Sequence, residues 1–252
     1  MKNTEITEIT ENKKIAENIY DMRILTQNMA RSARAGQFVH IACGGDTFLR
    51  RPISVCDTDG DILRVVYEIK GKGTTRLSQK RKGDKLDVLG PLGNWFNITK
   101  EKSLIIGGGV GIYPLLFLAK KLDRPAVLLG FRTESLVTFT DEFASVSSRV
   151  SVCTNDGSYG QTGLVTDFMD EITARENIEK IYACGPKPML RAVCEKADGY
   201  KNIKTYVSME EHMGCGIGAC LVCSCDVRKN GGIKRVQVCR NGPVFLASEV
   251  VW

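Results

Sequence analysis

The chain has 252 residues, of which 43% are hydrophobic and 25% are charged, and these proportions are ordinary for a soluble globular protein. The length suffices for two compact units and a small appendage, and no apolar run reaches the roughly 18 residues that a membrane span needs. The formal net charge of +6 comes without an aromatic-rich basic stripe, which argues against a nucleic-acid-binding protein.

Residues 1–99 are predicted to form the first unit, which consists of short strands. β-rich runs at residues 38–41, 62–67 and 85–89 are separated by turns that contain glycine and aspartate. Several short strands at this spacing indicate a small barrel or sandwich.

The pattern changes in residues 100–207, where apolar runs alternate with segments of helical periodicity. The predicted strands lie at residues 103–106, 126–129, 150–153, 181–184 and 203–207, the last of which closes the set. The predicted helices lie at residues 112–122, 141–145, 164–170 and 188–198. This alternation predicts an open parallel sheet with helices on both faces. Residues 208–252 form a small third unit that contains a charged, hairpin-like stretch.

The N-terminus and the cysteines indicate the compartment. Residues 1–8 lack the apolar core of a secretory signal. A chain of this length does not need disulfides, so reduced thiols and a cytoplasmic location are expected. The cysteines scattered through the first two units are Cys43, Cys56, Cys153, Cys184 and Cys194.

Two motifs in the first unit are typical of a flavin site. The sequence Arg51-Pro52-Ile53-Ser54 is predicted to end a strand, where an arginine can grip a diphosphate and a serine hydroxyl can bond a flavin nitrogen. Further on, Val66-Tyr67-Glu68 is followed by Gly71-Lys72-Gly73-Thr74, a glycine turn that precedes a predicted helix. Such a turn presents free N–H groups to phosphate oxygens. Each motif alone is more often a surface residue or a simple turn, so their order carries the argument.

Two glycine-containing loops in the second unit indicate a nicotinamide dinucleotide. Gly107-Gly108-Gly109-Val110-Gly111 lies between a predicted strand and a predicted helix. Cys184-Gly185-Pro186 follows a later strand, and ligands bind at the carboxyl ends of the strands in such sheets. A buried structural thiol at Cys184 and a simple turn at Gly185-Pro186 are the alternatives.

The third unit contains Cys215, Cys220, Cys223 and Cys239 in the spacing C-x4-C-x2-C-x15-C. Three thiols in one glycine-spaced loop, with a fourth arriving later, are typical of a plant-type [2Fe–2S] centre. A zinc site is the alternative, although zinc ribbons usually have two close CxxC pairs. Cys225 is interpreted as a spare thiol.

In this order, the motifs resemble the ferredoxin–NADP reductase superfamily. With the motifs of residues 209–220 and 239–245, the chain resembles one branch closely, the electron-transfer subunits of class B dihydroorotate dehydrogenases, and the match runs from about residue 38 to residue 245. The resemblance implies a flavin-binding antiparallel β-barrel (residues 1–99), a nicotinamide-binding α/β domain (residues 100–207) and a C-terminal [2Fe–2S] domain (residues 208–252). It implies that FAD is held by Arg51, Pro52, Ile53, Ser54, Val66, Tyr67, Glu68, Gly73 and Thr74. It assigns NAD to Gly107, Gly108, Gly109, Val110, Gly111, Cys184, Gly185 and Pro186, and the cluster to Cys215, Cys220, Cys223 and Cys239.

The resemblance also implies a partner, an FMN-containing dihydroorotate dehydrogenase catalytic subunit, in a heterotetramer. Electrons would pass from that FMN through the cluster and FAD to NAD+, in pyrimidine biosynthesis. A flavin is needed between the other two carriers because the cluster moves one electron and NAD+ accepts two. No acid or base residue is expected, and Cys184 is expected near the nicotinamide.

Two other functions stay open at this stage. Related electron-transfer subunits serve an NADH-dependent ferredoxin:NADP oxidoreductase, a sulfite reductase or a hydrogenase. A zinc-stabilised binding module without redox cofactors is the alternative from a different class.

Overall fold

The N-terminal unit is a closed antiparallel barrel with the strand order β1-β2-β5-β4-β3-β6. The structure, a computed structural model, describes residues 3–252. The strands are β1 (Asn3–Ala16), β2 (Ile19–Leu25), β3 (Phe38–Ala42), β4 (Arg51–Asp59), β5 (Ile62–Glu68) and β6 (Lys85–Leu92). Two helices accompany them, α1 (Met29–Ser32) and α2 (Lys72–Gln79). The predicted barrel is confirmed, and the three predicted strands correspond to β3, β5 and β6.

Alternation of buried and accessible side chains explains why these segments form a barrel. In β6, every second residue from Leu86 to Leu92 is buried, so one face of the strand lines the core. Between β4 and β5 the chain reverses at Gly60, whose φ of 55° suits glycine. Within residues 3–92, closure gives each barrel strand a partner on both sides, so none of these strands is an edge strand.

The second unit is a sheet with the strand order β10-β9-β8-β7-β11-β12-β15, in which all pairs are parallel except β12 with β15. Its strands are β7 (Ser103–Gly108), β8 (Ala126–Phe131), β9 (Arg149–Thr154), β10 (Gln161–Thr162), β11 (Lys180–Cys184) and β12 (Lys204–Ser208). Its helices are α3 (Ile112–Ala119), α4 (Thr140–Val146), α5 (Val165–Glu176) and α6 (Lys187–Ala197). The predicted strands and helices of this unit are confirmed.

The third unit folds around a hairpin of β13 (Ser224–Lys229) and β14 (Gly232–Gln237), followed by α7 (Val238–Asn241). The predicted charged hairpin is confirmed. Beyond β12, which is the last of the predicted strands, the sheet continues, because β15 (Val244–Leu246) from this third unit pairs with β12 and extends it. An apolar edge strand gains backbone hydrogen bonds and burial from that pairing. The domain boundaries at residues 99 and 207 stay predictions.

Helix α3 joins the barrel to the sheet. All of its residues are buried, because β4 of the barrel packs on one side and β7 and β11 of the sheet pack on the other. A helix that is apolar all round needs such enclosure. Among residues 3–252, no helix has both the length and the apolar character that crossing a bilayer would require.

Charged side chains also cross from the barrel to the sheet. The Arg64 guanidinium lies 2.7 Å from Asp21 of the same barrel and 2.6 Å from Glu142 of α4. It also lies 4.6 Å from the ring centre of Phe139. A second pair joins Lys120 to Asp57. We call Arg64, Asp21 and Glu142 the interdomain clamp.

Candidate functional site

The predicted flavin residues lie at one end of the barrel. Antiparallel pairing of β4 with β5 brings Arg51, at the start of β4, to the same end as Glu68, at the end of β5. The expectation that Arg51-Pro52-Ile53-Ser54 ends a strand was wrong, because these residues begin β4 and pair with β3. The loop at residues 43–50 connects β3 to β4 and precedes this motif.

Arg51 and Gly73 are in direct contact across this end of the barrel. A Cβ on Gly73 would lie 2.5 Å from the Arg51 Nε, so any larger residue there would displace the guanidinium from its present position. Arg51 also donates to the Leu49 carbonyl. The two motifs that were separate in the sequence therefore form one cradle, which we call the flavin cradle.

The N-terminus of α2 closes the flavin cradle. The helix begins at Lys72, slightly earlier than the sequence indicated. The Thr74 hydroxyl accepts hydrogen bonds from the N–H groups of Lys70 and Gly71, at 2.9 and 3.3 Å. These bonds shape the turn, and the N–H groups of the first helical turn stay directed at the cradle.

Among the predicted flavin residues, Val66 and Tyr67 face the protein interior. The two side chains are 6% and 4% exposed. The Tyr67 hydroxyl donates to the Asn12 amide oxygen at 3.1 Å, and its ring stacks on Tyr20. Burial, the larger effect, raises the pKa of Tyr67 above its ordinary range, and the Asn12 bond opposes it. Both side chains therefore belong largely to the interior of the protein.

The two predicted nicotinamide loops meet at the carboxyl ends of adjacent strands. In the parallel register of β7 and β11, Gly107 is opposite Cys184. A Cβ on Gly111 would lie 2.5 Å from the Gly185 nitrogen, and one on Gly108 would lie 2.3 Å from the Met189 sulfur. These glycines thus allow the two loops to pack closely.

Gly109 differs from its neighbours in the same loop. Its φ is 52°, and a Cβ there would meet no atom within 4 Å. The space beside the Gly109 backbone is therefore open.

Cys184 lies at the end of β11, half-buried, between Gly107 and Ser208 of the flanking strands. Burial raises the pKa of its thiol to about 12, although a hydrogen bond with Ser208 opposes the shift. The thiol therefore stays protonated and is not poised as a nucleophile.

In the third unit, residues 215–223 contain the first three predicted ligands, and we call this segment the cluster loop. Its backbone N–H groups surround the sulfur of Cys215. Ile217 and Ala219 donate to this sulfur at 3.4 and 3.3 Å, and the Cys215 N–H donates to Cys220 Sγ at 3.4 Å. Burial opposes the thiolate, but the backbone N–H groups of Ile217, Cys220 and Ala219 lower the pKa of the Cys215 thiol to about 6. Glycine at position 216, with a φ of 70°, permits the turn.

The other two predicted ligands lie deeper. Cys223 and Cys239 are 1% and 0% exposed, and the Cys239 N–H donates to Cys223 Sγ at 3.4 Å. Burial raises the pKa of Cys239 to about 12, and the neighbouring Cys223 adds to the effect. Cys225, the spare thiol, lies in the hairpin opposite Val236. Burial raises its pKa to about 11.

The sequence analysis overlooked His40, which lies between the cluster loop and the flavin cradle. Its side chain is fully buried in β3, where it pairs with Pro52 of β4. A Cβ on Gly216 would lie 2.6 Å from the His40 Nδ1, so the cluster loop rests directly on the ring. Burial and the charge of Arg50 lower the pKa of His40 to about 4. The available signal was a single polar residue in an otherwise apolar strand.

Asn94 is a second residue that the sequence analysis overlooked, and it ties the third unit to the barrel. Its side-chain oxygen accepts from the Val244 N–H at 2.9 Å, and its side-chain nitrogen donates to the Val244 carbonyl at 2.7 Å. No sequence signal distinguishes this asparagine from an ordinary loop residue.

A barrel with an arginine–glycine cradle, a parallel sheet with paired glycine loops and a four-cysteine segment together define an oxidoreductase of the ferredoxin–NADP reductase type. The family model for the iron–sulfur cluster binding domain of dihydroorotate dehydrogenase B matches residues 210–251. The chain belongs to the family of the electron transfer subunits of dihydroorotate dehydrogenase B (NAD(+)).

The relatives in this family match almost the whole chain. The subunit of Caldanaerobacter subterraneus subsp. tengcongensis is 43% identical over 97% of each chain, and that of Geobacillus kaustophilus is 42% identical over 94% of each chain.

Solved structures share the fold. The NADH-dependent reduced ferredoxin–NADP oxidoreductase structure has a TM-score of 0.87 at 36% identity. The match covers 100% of this chain and 92% of that chain. A ferredoxin–NADP+ reductase from Neisseria gonorrhoeae with bound FAD and NADP has a TM-score of 0.67 at 16% identity, with 82% of this chain and 99% of that chain covered.

Proposed function

We propose that this chain carries electrons from the FMN of a dihydroorotate dehydrogenase catalytic subunit to NAD+, by way of a [2Fe–2S] cluster and FAD, in pyrimidine biosynthesis. One observation supports it above the others. Gly216 of the cluster loop rests on His40, and His40 pairs with Pro52 of the flavin cradle. The predicted one-electron and two-electron sites are therefore neighbours within one chain. FAD, when bound, exchanges single electrons with the cluster and a hydride with NAD+.

The cluster ligands in this proposal are Cys215, Cys220, Cys223 and Cys239. Their chemistry fits the group, because iron binds thiolates and the N–H donors around Cys215 stabilise negative charge on sulfur. A zinc-stabilised module, the alternative from the sequence, would not need these residues next to a flavin cradle.

For FAD, we propose that Arg51 grips the diphosphate and that the first turn of α2, from Gly73 and Thr74, adds N–H donors. Ser54 and the backbone of Pro52, Ile53, Val66, Tyr67 and Glu68 orient the ring. The contact between Arg51 and Gly73 supports this assignment, because it holds the guanidinium at the opening of the helix.

For NAD+, we propose that the loop formed by Gly107, Gly108, Gly109, Val110 and Gly111 faces the dinucleotide, with Gly109 as the open position. Cys184, Gly185 and Pro186 border the nicotinamide. No residue of this chain needs to move a proton, since hydride transfer requires only that donor and acceptor be held in place.

We propose that the catalytic partner docks over the cluster loop in a cytoplasmic heterotetramer. Apolar side chains around the loop support this placement, because Leu221 and Val222 are 61% and 57% exposed. Apolar groups in such a position are typical of the centre of an interface. In this proposal the chain oxidises dihydroorotate only together with its partner.

The test is the replacement of Cys220 by Ser in anaerobically prepared protein, assayed with the partner subunit. We expect the iron–sulfur absorption to disappear and dihydroorotate-dependent reduction of NAD+ to fall at least a hundredfold, while bound FAD remains. Replacing Cys225 by Ser is the matched control and should leave both signals. Coupling that survives loss of the cluster would contradict the proposal.

A second candidate function is service in an NADH-dependent ferredoxin:NADP oxidoreductase. The observation in its favour is the TM-score of 0.87 with the solved structure of such an enzyme. The two candidates differ in the partner. Reconstitution with a dihydroorotate dehydrogenase catalytic subunit yields dihydroorotate-dependent NADH formation in the first case only, whereas the second requires reduced ferredoxin and NADP+.

A further inference from the structure

His40 is a buried polar side chain without a satisfied hydrogen bond. Neither ring nitrogen has a partner among the described residues, although the ring is 0% exposed. The backbone groups of Arg50 and Cys215 face the ring but lie outside hydrogen-bonding geometry. A buried imidazole in this state is costly, because no hydrogen bond offsets the loss of its contacts with water. Buried polar groups of this kind usually have a partner in the functional state.

The position of the ring limits what that partner is. Nδ1 is the ring atom nearest to Gly216, at 2.6 Å from where its Cβ would be. The adjacent peptide joins Cys215 to Gly216, and its orientation determines where the following N–H groups point. Two of those groups, from Ile217 and Ala219, are the donors to Cys215 Sγ. Anything that fixes this peptide therefore also fixes the donors on the sulfur.

We propose that His40 is a positioning residue for the cluster: in the loaded protein its Nδ1–H donates to the Cys215 backbone and holds the cluster loop on the barrel. This inference rests on the proposed function and adds to it. His40 acts through the Cys215–Gly216 peptide on the N–H groups that face the ligand sulfur. Hydrogen bonds to cluster sulfurs stabilise the more negative, reduced state, so they raise the reduction potential. Loss of the imidazole should lower it.

A set of variants at one position separates this role from packing. His40→Phe keeps a planar ring and removes both nitrogens. His40→Asn places an N–H near the position of Nδ1, whereas His40→Gln places one near Nε2. Ile41→Val, also fully buried in β3, is the control for a disturbed barrel. The readouts are the midpoint potential of the cluster and the electron paramagnetic resonance spectrum of its reduced form, in the full chain with FAD bound.

We expect His40→Phe to shift the ratio of reduced to oxidised cluster at least tenfold at a fixed potential, which is about 59 mV for one electron. The shift should be toward the oxidised state, with altered g-values. His40→Asn should have a midpoint potential close to that of the wild type, whereas His40→Gln should keep the shift. Ile41→Val should match the wild type. The comparison of Asn with Gln stands even if the Phe variant does not fold.

An unchanged potential and spectrum in His40→Phe would overturn the inference alone. Equal behaviour of the Asn and Gln variants would do the same, because packing and polarity would then suffice. Wild-type protein that contains FAD but no iron would overturn the proposed function, and this inference with it. Iron and flavin analysis of the wild type therefore separates the two failures.

Discussion

Gly111 of the glycine loop faces Cys184 so closely that a Cβ on Gly111 would lie 2.6 Å from the Cys184 carbonyl oxygen. The obstructing atoms belong to the backbone of β11, so they have no rotamer by which to move. We predict that Gly111→Ala separates the two strand ends, costs at least about 1–3 kcal/mol of unfolding free energy and weakens NADH binding at least tenfold. Thermal unfolding and NADH titration measure both effects.

Gly232→Ala, in the hairpin of the third unit, is the matched control for this variant. A Cβ on Gly232 would meet no atom within 4 Å, so this variant should change neither stability nor NADH binding appreciably. Wild-type stability in Gly111→Ala would show that the strand ends are able to separate without cost.

The contact between Arg51 and Gly73 leads to a prediction for FAD. Arg51→Lys keeps the charge but loses the planar fork, and Gly73→Ala displaces the guanidinium. A hydrogen bond to a charged group contributes about 1.5–3 kcal/mol, so each variant should bind FAD roughly 10- to 100-fold more weakly. Flavin fluorescence titration measures the affinity. Arg31→Lys, in an exposed pair with Asp61, should bind FAD normally, and equal losses in all three would contradict the assignment.

Cys239 and Cys225 are the two thiols that compete for the role of fourth ligand. The Cys239 N–H contacts the Cys223 sulfur, whereas Cys225 pairs in the hairpin. We predict that Cys239→Ser removes most of the iron and that Cys225→Ser retains it. Iron analysis and visible absorption decide the matter, and the opposite pattern would mean that the assignment is reversed.

The interdomain clamp predicts a large stability effect at Arg64. The Arg64→Met variant leaves the Asp21 carboxylate, whose side chain is 1% exposed, without its partner. Removing one partner of a buried ion pair costs about 3–5 kcal/mol. Denaturant unfolding measures this loss. Arg191→Met, which breaks an exposed pair with Glu195, should change stability by less than about 1 kcal/mol. Similar losses in both variants would show that the clamp is no stronger than a surface pair.

Glu142 gives the clamp a pH dependence. Burial favours the neutral form of Glu142 and raises its pKa. The hydrogen bonds and charge of Arg64, together with the charges of Lys120 and Arg23, lower the pKa by more, so it lies below its ordinary value of 4.5. Because the folded-state pKa is lowered, the stabilisation is complete above the unfolded-state pKa. It is lost as the pH falls through the folded-state pKa.

In the wild type, we therefore expect a loss of stability below about pH 4.5 that Glu142→Gln lacks. Because the Glu142 side chain is 39% exposed, the difference should be about 1 kcal/mol or less. Denaturant unfolding at several pH values measures it. Glu195→Gln should follow the wild type, and an unchanged slope in Glu142→Gln would remove Glu142 from the clamp.

The sequence predicted the parts of this molecule that have local patterns. Helix α3 and the strands of the sheet follow from apolar periodicity, and the cysteine loop follows from its spacing. The contacts between distant segments had no such pattern. Nothing local indicates that Gly73 makes room for Arg51, that His40 lies beneath Gly216 or that Asn94 holds Val244. The start of β4 was misplaced because the loop before Arg51 and the turn after the motif contain the same kinds of residue.

The enclosure of α3 has a consequence for attempts to divide the chain. Its residues Ile112–Ala119 are covered on one side by the barrel and on the other by the sheet. If the barrel or the sheet were expressed alone, it would expose an apolar surface to water. A fragment that contains only the barrel should therefore aggregate. The relative position of the barrel and the sheet is accordingly set by an interior that both units share.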